Sequence, residues 1–244
     1  MLKILKLLRS KKYFKPPIKK KYLISDSTQS HIFEKYLNPQ EVNVMDTRYE
    51  SINLFILFKT ILKFKFSFKN YIIEYIRSTG CEFIISFIDN DLFFYELKKY
   101  FPNKTVIIIQ NGMRPEFFFK KLSEEKNLKV DYLLTFSDFY SNKFRRFVNG
   151  NLISIGSFKN NLIIKKNSKK NKSVAFISAG PSSGDNMKIF EKISLNMDDY
   201  FLPEKNLLPL ISNYCEENEL KLKILARSKS KKHFCLKKNF IRKY

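Results

Sequence analysis

Three short runs with almost no polar residue constrain this chain most. They are Phe83-Ile84-Ile85-Ser86-Phe87-Ile88, Thr105-Val106-Ile107-Ile108-Ile109 and Ser173-Val174-Ala175-Phe176-Ile177-Ser178. Each is too short for a buried helix and too continuously apolar for a strand with one wet face, so each reads as a strand covered on both faces. Helix-length segments lie between such runs. The alternation predicts an α/β protein built on a Rossmann-like parallel sheet with helices on both sides. Right-handed crossovers then bring the carboxyl ends of all strands to one edge, where open α/β sheets hold their ligands.

Along the chain the expected order is a strand at 23–25, a helix at 29–37, a strand at 41–45 and two helices within 51–78 broken near 66–70. A strand at 81–88, a helix at 91–100, a strand at 105–109 and a helical or irregular piece at 115–123 follow. A strand at 131–136, a helix at 138–148 and a short strand at 152–155 close the first series. Residues 158–172 are polar and basic and read as a linker. A second series then starts with a strand at 173–178, a loop from Ala179 to Gly184, a helix at 204–218 and a strand at 221–226. The expected organisation is a basic segment over 1–19, a Rossmann-like domain over 20–157, the linker over 158–172 and a partial second domain over 173–244.

The formal charge of +23 is unevenly placed. Residues 1–22, 158–172 and 220–244 hold nine, six and ten basic residues and no acid, whereas the rest holds 21 basic against 23 acidic residues. Lysine supplies 38 of the 46 basic residues. Sequence reading of nucleic acid favours the planar arginine fork, so the near-neutral body and the shortage of arginine argue against a nucleic-acid partner. Lysine clusters suit an anionic membrane surface instead, or reflect composition alone. Residues 1–12 read as a short basic amphipathic helix carrying Ile4, Leu5 and Leu8, or as a frayed end, rather than as a secretory signal. In 52–68, large apolar residues alternate with Lys59, Lys63 and Lys65: a core helix with a wet lysine edge, or a helix lying on a bilayer. No apolar run is long and uncharged enough to span a membrane. Cys81, Cys215 and Cys235, with His31 and His233, make neither a disulfide framework nor a metal site.

Three strand ends carry the polar residues worth inspecting. Asp89-Asn90 follows the run at 83–88, Gln110-Asn111-Gly112-Met113-Arg114 follows 105–109, and Gly156-Ser157 follows 152–155. Asn-Gly suits a sharp turn through positive φ and a close backbone approach to a ligand. Arg114 would hold a phosphate or carboxylate, and Asp89 would orient or deprotonate a hydroxyl. The plainer alternatives are a helix cap at Asp89-Asn90, an ordinary turn at Asn111-Gly112 and a surface pair at Arg114.

Taken in order, Ile-Asp-Asn at 88–90, Ile-Gln-Asn-Gly-Met-Arg at 109–114, Gly-Ser-Phe-Lys-Asn-Asn at 156–161 and Ala-Phe-Ile-Ser at 175–178 resemble a family of bacterial surface-carbohydrate (O-antigen, lipopolysaccharide) biosynthesis proteins that look like GT-B glycosyltransferases. The resemblance spans roughly residues 20–227. It implies a GT-B-like acceptor domain followed by an incomplete Rossmann-like donor domain, because the GT-B pattern needs further β/α units after its second strand. It implies Asp89 as a general base, with Asn90, Gln110, Asn111, Gly112, Arg114, Gly156 and Ser157 on the acceptor side. Gly180, Ser182, Ser183 and Gly184 would offer backbone N–H groups to the donor diphosphate, assisted by Arg227. The substrates implied are a nucleotide sugar and a lipid-linked or oligosaccharide acceptor, with no further cofactor and no metal. The expected location is the cytoplasm, either free or peripheral on the cytoplasmic face of the inner membrane. A non-catalytic scaffold retaining the acceptor half is the alternative from a different class, and a lysine-rich nucleic-acid binder is a third.

Overall fold

The structure, a computed structural model, describes residues 10–47, 51–64, 66–162, 172–178, 187–189, 193–195 and 197–226. The chain divides into two units, Met1–Lys165 and Lys166–Tyr244.

The first unit is organised by six parallel strands: β2 (Tyr22–Ile24), β3 (Val42–Val44), β5 (Phe83–Ser86), β6 (Thr105–Ile109), β7 (Leu128–Thr135) and β8 (Val148–Ser154). Their order in the sheet is β3-β2-β5-β6-β7-β8, every neighbouring pair parallel. The winding direction reverses between β2 and β5, so the crevice beyond their carboxyl ends is the place this topology offers to ligands. The α/β expectation is met, and 105–109 is a strand over the range predicted.

Alternate side chains of the strands point to opposite faces. Leu23, Ile84, Val106, Ile108 and Leu133 enter one apolar cluster. Ile24, Ile85 and Ile109 enter the other. The faces are covered unequally. The first is sealed by α1 (Leu54–Leu62), α2 (Phe68–Thr79), α3 (Leu97–Tyr100), α4 (Glu116–Glu124) and α5 (Asp138–Arg145). The second receives the 3-10 helix Ser27–Lys35, through Ile32 and Phe33, and the ring of Phe158. Order explains the asymmetry: only the β2-to-β3 connection runs backwards, and right-handed crossovers put that one on the opposite face.

Several elements differ from expectation. Lys11–Tyr13 forms β1, which pairs in parallel with β4 (Ser51–Asn53), where a helix or a frayed end was expected for residues 1–12. The helix expected at 29–37 is a 3-10 helix, in which the Ser30 hydroxyl donates to the Ser27 carbonyl. The helix expected at 91–100 begins as a 3-10 helix, Leu92–Glu96. The amphipathic reading of Ile4, Leu5 and Leu8 lies outside the described residues.

β7 and β8 carry a bulge. Lys129 pairs with Asn149 and Tyr132 with Asn151, so two residues of β7 oppose Gly150 alone. Gly150 has φ +153°, and a Cβ there would stand 2.3 Å from the Val130 carbonyl oxygen. Only glycine fits.

Helix α1 packs on the core through Ile56, with Leu54, Phe55 and Leu57 partly buried against the same cluster. Asn53 caps it, its side chain accepting from the Ile56 N–H at 3.2 Å. Its inward side holds Ile56 and Thr60, whose hydroxyl donates to the Ile56 carbonyl. Lys59 and Lys63 reach Glu74 of α2 at 3.0 and 2.7 Å. The Glu74 carboxylate is buried, which by itself favours the neutral acid, but the two lysines outweigh this and hold its pKa below the ordinary range. Phe58, Ile61 and Leu62 are left on the outside.

In the second unit β9 (Ser173–Ser178) pairs in parallel with β12 (Lys221–Ala226). A hairpin, β10 (Met187–Ile189) with β11 (Ile193–Leu195), and a long helix α6 (Met197–Glu217) lie between them in sequence. Helix α6 starts earlier than expected and carries Pro203 and Pro209 within it. Leu208 and Cys215 are its buried anchors.

Candidate functional site

The carboxyl edge of the large sheet gathers the polar strand ends. Asp89 stands three residues past β5 and has no exposed surface. Arg114 follows β6 through the turn 110–113. The two meet: Arg114 Nε donates to Asp89 Oδ2 at 2.6 Å and Nη2 donates to Oδ1 at 2.5 Å. The Asn111 N–H donates to Oδ1 at 3.1 Å. Both carboxylate oxygens are thus engaged. Tyr95, wholly buried, donates its hydroxyl to the Asp89 carbonyl at 2.9 Å and fixes that backbone from below. The guanidinium also lies over the Phe118 ring, 5.8 Å from its centroid.

Burial pushes the Asp89 carboxyl above the usual carboxylate range, with the Arg114 guanidinium and the Asn111 N–H pulling it back only in part. Burial also works against the Arg114 charge, but its bonds to Asp89 more than compensate and raise its pKa. A charge-assisted, two-point contact of this kind locks orientation as well as charge. Nη1 is left with no hydrogen-bond partner among the described residues.

Gln110 braces the turn. Its amide donates to the Gly112 carbonyl at 3.0 Å and accepts from the Phe136 N–H at 2.8 Å, tying β6 to β7. The Asn111 amide oxygen is buried without a partner among the described residues. Gly112 does not use the left-handed backbone expected of Asn-Gly; positive φ among the described glycines occurs at Gly80, Gly150 and Gly156. What Gly112 provides is room, since a Cβ there would lie 3.6 Å from Arg114 Nη2.

Other expected residues do not join this group. Asn90 is exposed, and the cap of the following 3-10 helix is Asp91, which accepts from the Phe93 N–H. Gly156 (φ +75°) and Ser157 build a separate turn with Asn160 and Asn161, in which Asn161 donates to the Ile155 carbonyl at 2.8 Å. Phe158, just beyond, packs on Phe87 and Phe33 on the other face of the sheet. Gly180, Ser182, Ser183, Gly184 and Arg227 lie outside the described residues. His31 is exposed on its 3-10 helix. Cys81 is buried, and burial raises its thiol pKa. No group of three or more potential metal ligands occurs among the described residues, nor does a helix long and apolar enough to cross a membrane.

Sequence reasoning missed Tyr95 and Phe118, the aromatic seat of the pair. Both fall inside helical stretches with nothing to set them apart from core residues. A cluster of hydroxyls at the ends of β7 and β8 was missed as well: Thr135 to Ser141 at 2.6 Å, Ser141 to Ser154 at 3.2 Å, and Ser154 donating to Asp138 at 2.5 Å.

A family model described as "putative O-antigen biosynthesis protein" matches residues 107–244, more than half of the chain. The chain belongs to this O-antigen biosynthesis family. The match begins within β6 and takes in the Gln110–Arg114 turn and the whole second unit, while Asp89 lies before it. No curated protein and no solved structure matches the chain.

Proposed function

We propose that this O-antigen biosynthesis protein handles a glycosyl transfer, and that the edge built by Asp89, Asn111, Gly112 and Arg114 receives the saccharide acceptor. One observation carries the reading. Arg114 is held rigidly at the ligand edge by a buried carboxylate, so the pair is neutral overall yet keeps directed N–H donors on Nη1. A neutral, oriented donor suits sugar hydroxyls better than it suits a dianionic phosphate, which an unpaired cation would hold more strongly.

In the transfer, the acceptor hydroxyl oxygen bonds to the anomeric carbon of a nucleotide sugar. The bond from that carbon to the diphosphate oxygen breaks, and the nucleoside diphosphate leaves with the electron pair. The acceptor proton needs a base, a part the departing diphosphate oxygen can play. With both oxygens engaged, Asp89 serves here as the positioning residue for Arg114 rather than as that base. The donor diphosphate is assigned, on sequence grounds, to the loop with Gly180, Ser182, Ser183 and Gly184, and to Arg227.

The same occupancy of Asp89 favours a second reading, a saccharide-binding subunit without turnover. Saturation-transfer NMR of the full chain against a panel of oligosaccharides and nucleotide sugars tests the binding claim, and product analysis with both substrates present separates the readings. The expected result is saccharide binding that Arg114→Gln weakens at least tenfold. Binding unchanged in Arg114→Gln, or no saccharide bound at all, sinks both.

A further inference from the structure

We infer that the outer face of α1, with the residues just before and after it, docks on an anionic lipid bilayer. The inference is independent of the transfer reading. It rests on the outer side of α1: Lys59 and Lys63 reach across to the buried Glu74 of α2 while staying 41% and 44% exposed, and Phe58, Ile61 and Leu62 stand outward beside them. Phe14, Phe58, Ile61, Leu62, Phe64 and Phe66 are all exposed, Phe64 to 84% and Phe66 to 74%. Phe14 belongs to the same surface, since its ring meets Phe55 of α1 edge-on at 6.1 Å. Single exposed apolar residues are ordinary; Phe58, Ile61 and Leu62 share one helix face by their i, i+3, i+4 spacing, and with the exposed rings just before and after the helix and the lysines beside them they mark an interaction surface.

Phe64 adds a second observation. It ends α1 in the left-handed region, φ +54°, a conformation that disfavours a bulky L-residue. The helix therefore keeps, in a strained backbone, an aromatic ring directed at solvent.

Charge decides what covers the face. The sequence holds no acidic residue over 10–25 or 51–73. Lys11 and Lys15 are exposed on the β1 segment, which is fastened to the start of α1 where Asn53 donates to the Lys15 carbonyl at 2.8 Å. A second copy would set these lysines against each other. Anionic headgroups would neutralise them while the phenylalanines enter the acyl boundary, the arrangement of an interfacial helix.

The chain has no tryptophan, so Phe64→Trp places a single reporter on the face. With vesicles of phosphatidylcholine containing phosphatidylglycerol, its emission is expected to shift to the blue, and the full chain to float with the vesicles. Phosphatidylcholine alone, or 0.5 M salt, is expected to lower the bound fraction at least fivefold. The triple variant Phe58→Ser/Leu62→Ser/Phe64→Ser is expected to lose vesicle binding at least tenfold. Phe64→Gly, which removes the ring while relieving the left-handed backbone, weakens binding without threatening the fold. The proposal fails if the Phe64→Trp emission is unmoved by anionic vesicles. It fails equally if the triple variant floats like the parent, or if the parent is a lipid-indifferent dimer that the triple variant turns into a monomer.

Discussion

Removing the Asp89 carboxylate puts the Asp89–Arg114 pair to the most direct test. Asp89→Ala strips the guanidinium of both its charge-assisted bonds and leaves the Asn111 N–H without its acceptor. The Arg114 side chain is only 15% exposed, so water replaces little of what is lost. Breaking a buried ion pair from one side costs about 3–5 kcal/mol. Arg114→Met in the same chain removes the orphaned charge while keeping the packing on Phe118, and double replacement of a buried pair by apolar groups is often close to neutral. The double variant is therefore expected to regain most of the loss. Urea unfolding followed by far-UV circular dichroism measures both. With a slope of roughly 2 kcal/mol/M, the single variant moves the midpoint of the first unit down by about 2 M. A midpoint within about 0.3 M of the parent, or a double variant no better than Asp89→Ala, would show that the pair does not hold this edge together.

Two further outcomes follow from the same physical reasoning. Gly150→Ala forces a methyl to within 2.3 Å of the Val130 carbonyl oxygen at a positive φ, so thermal melting is expected to show a loss of about 1–3 kcal/mol or more; an unchanged melting temperature would mean the bulge is not required. Glu74→Gln is expected to destabilise the chain at neutral pH. Because the lysines depress the folded-state pKa of Glu74, the parent's advantage is present above the ordinary carboxylate range and disappears as pH falls through the lower folded value. Stability against pH for both proteins reads this, and parallel curves would refute it.

The parts of the fold legible beforehand are those written by local chemistry. Thr105–Ile109, Ser173–Ser178 and Lys221–Ala226 are strands at the residues expected, since β-branched and aliphatic residues declare them without help from elsewhere. β1 and β4 were not legible: Lys-Lys-Tyr and Ser-Ile-Asn carry no strand pattern, and their pairing is decided some forty residues apart in sequence. The 3-10 form of Ser27–Lys35 escaped because the Ser30 hydroxyl bonds to the nearby Ser27 carbonyl, a preference that competes with the α-helix but leaves no periodic mark. At the candidate site, strand ends pointed to Asp89 and Arg114, but their mutual occupation depends on the path of the 110–113 turn. The polarity of α1 was hidden for a similar reason. Its lysines read as a solvent edge and do stay 41% and 44% exposed, but their hold on Glu74 depends on the next helix being brought beneath them.

The bulge opposite Gly150 also bears on how the sheet ends. Of the two outer strands, β3 has only three residues and β8 is broken in register at its middle. A neighbouring molecule looking for a straight ladder of free amides and carbonyls finds one rail too short and the other stepped in register beside its bulged neighbour β7. Straightening β8, by any change that lets Gly150 fall back into regular pairing, would expose a template for fibrous stacking.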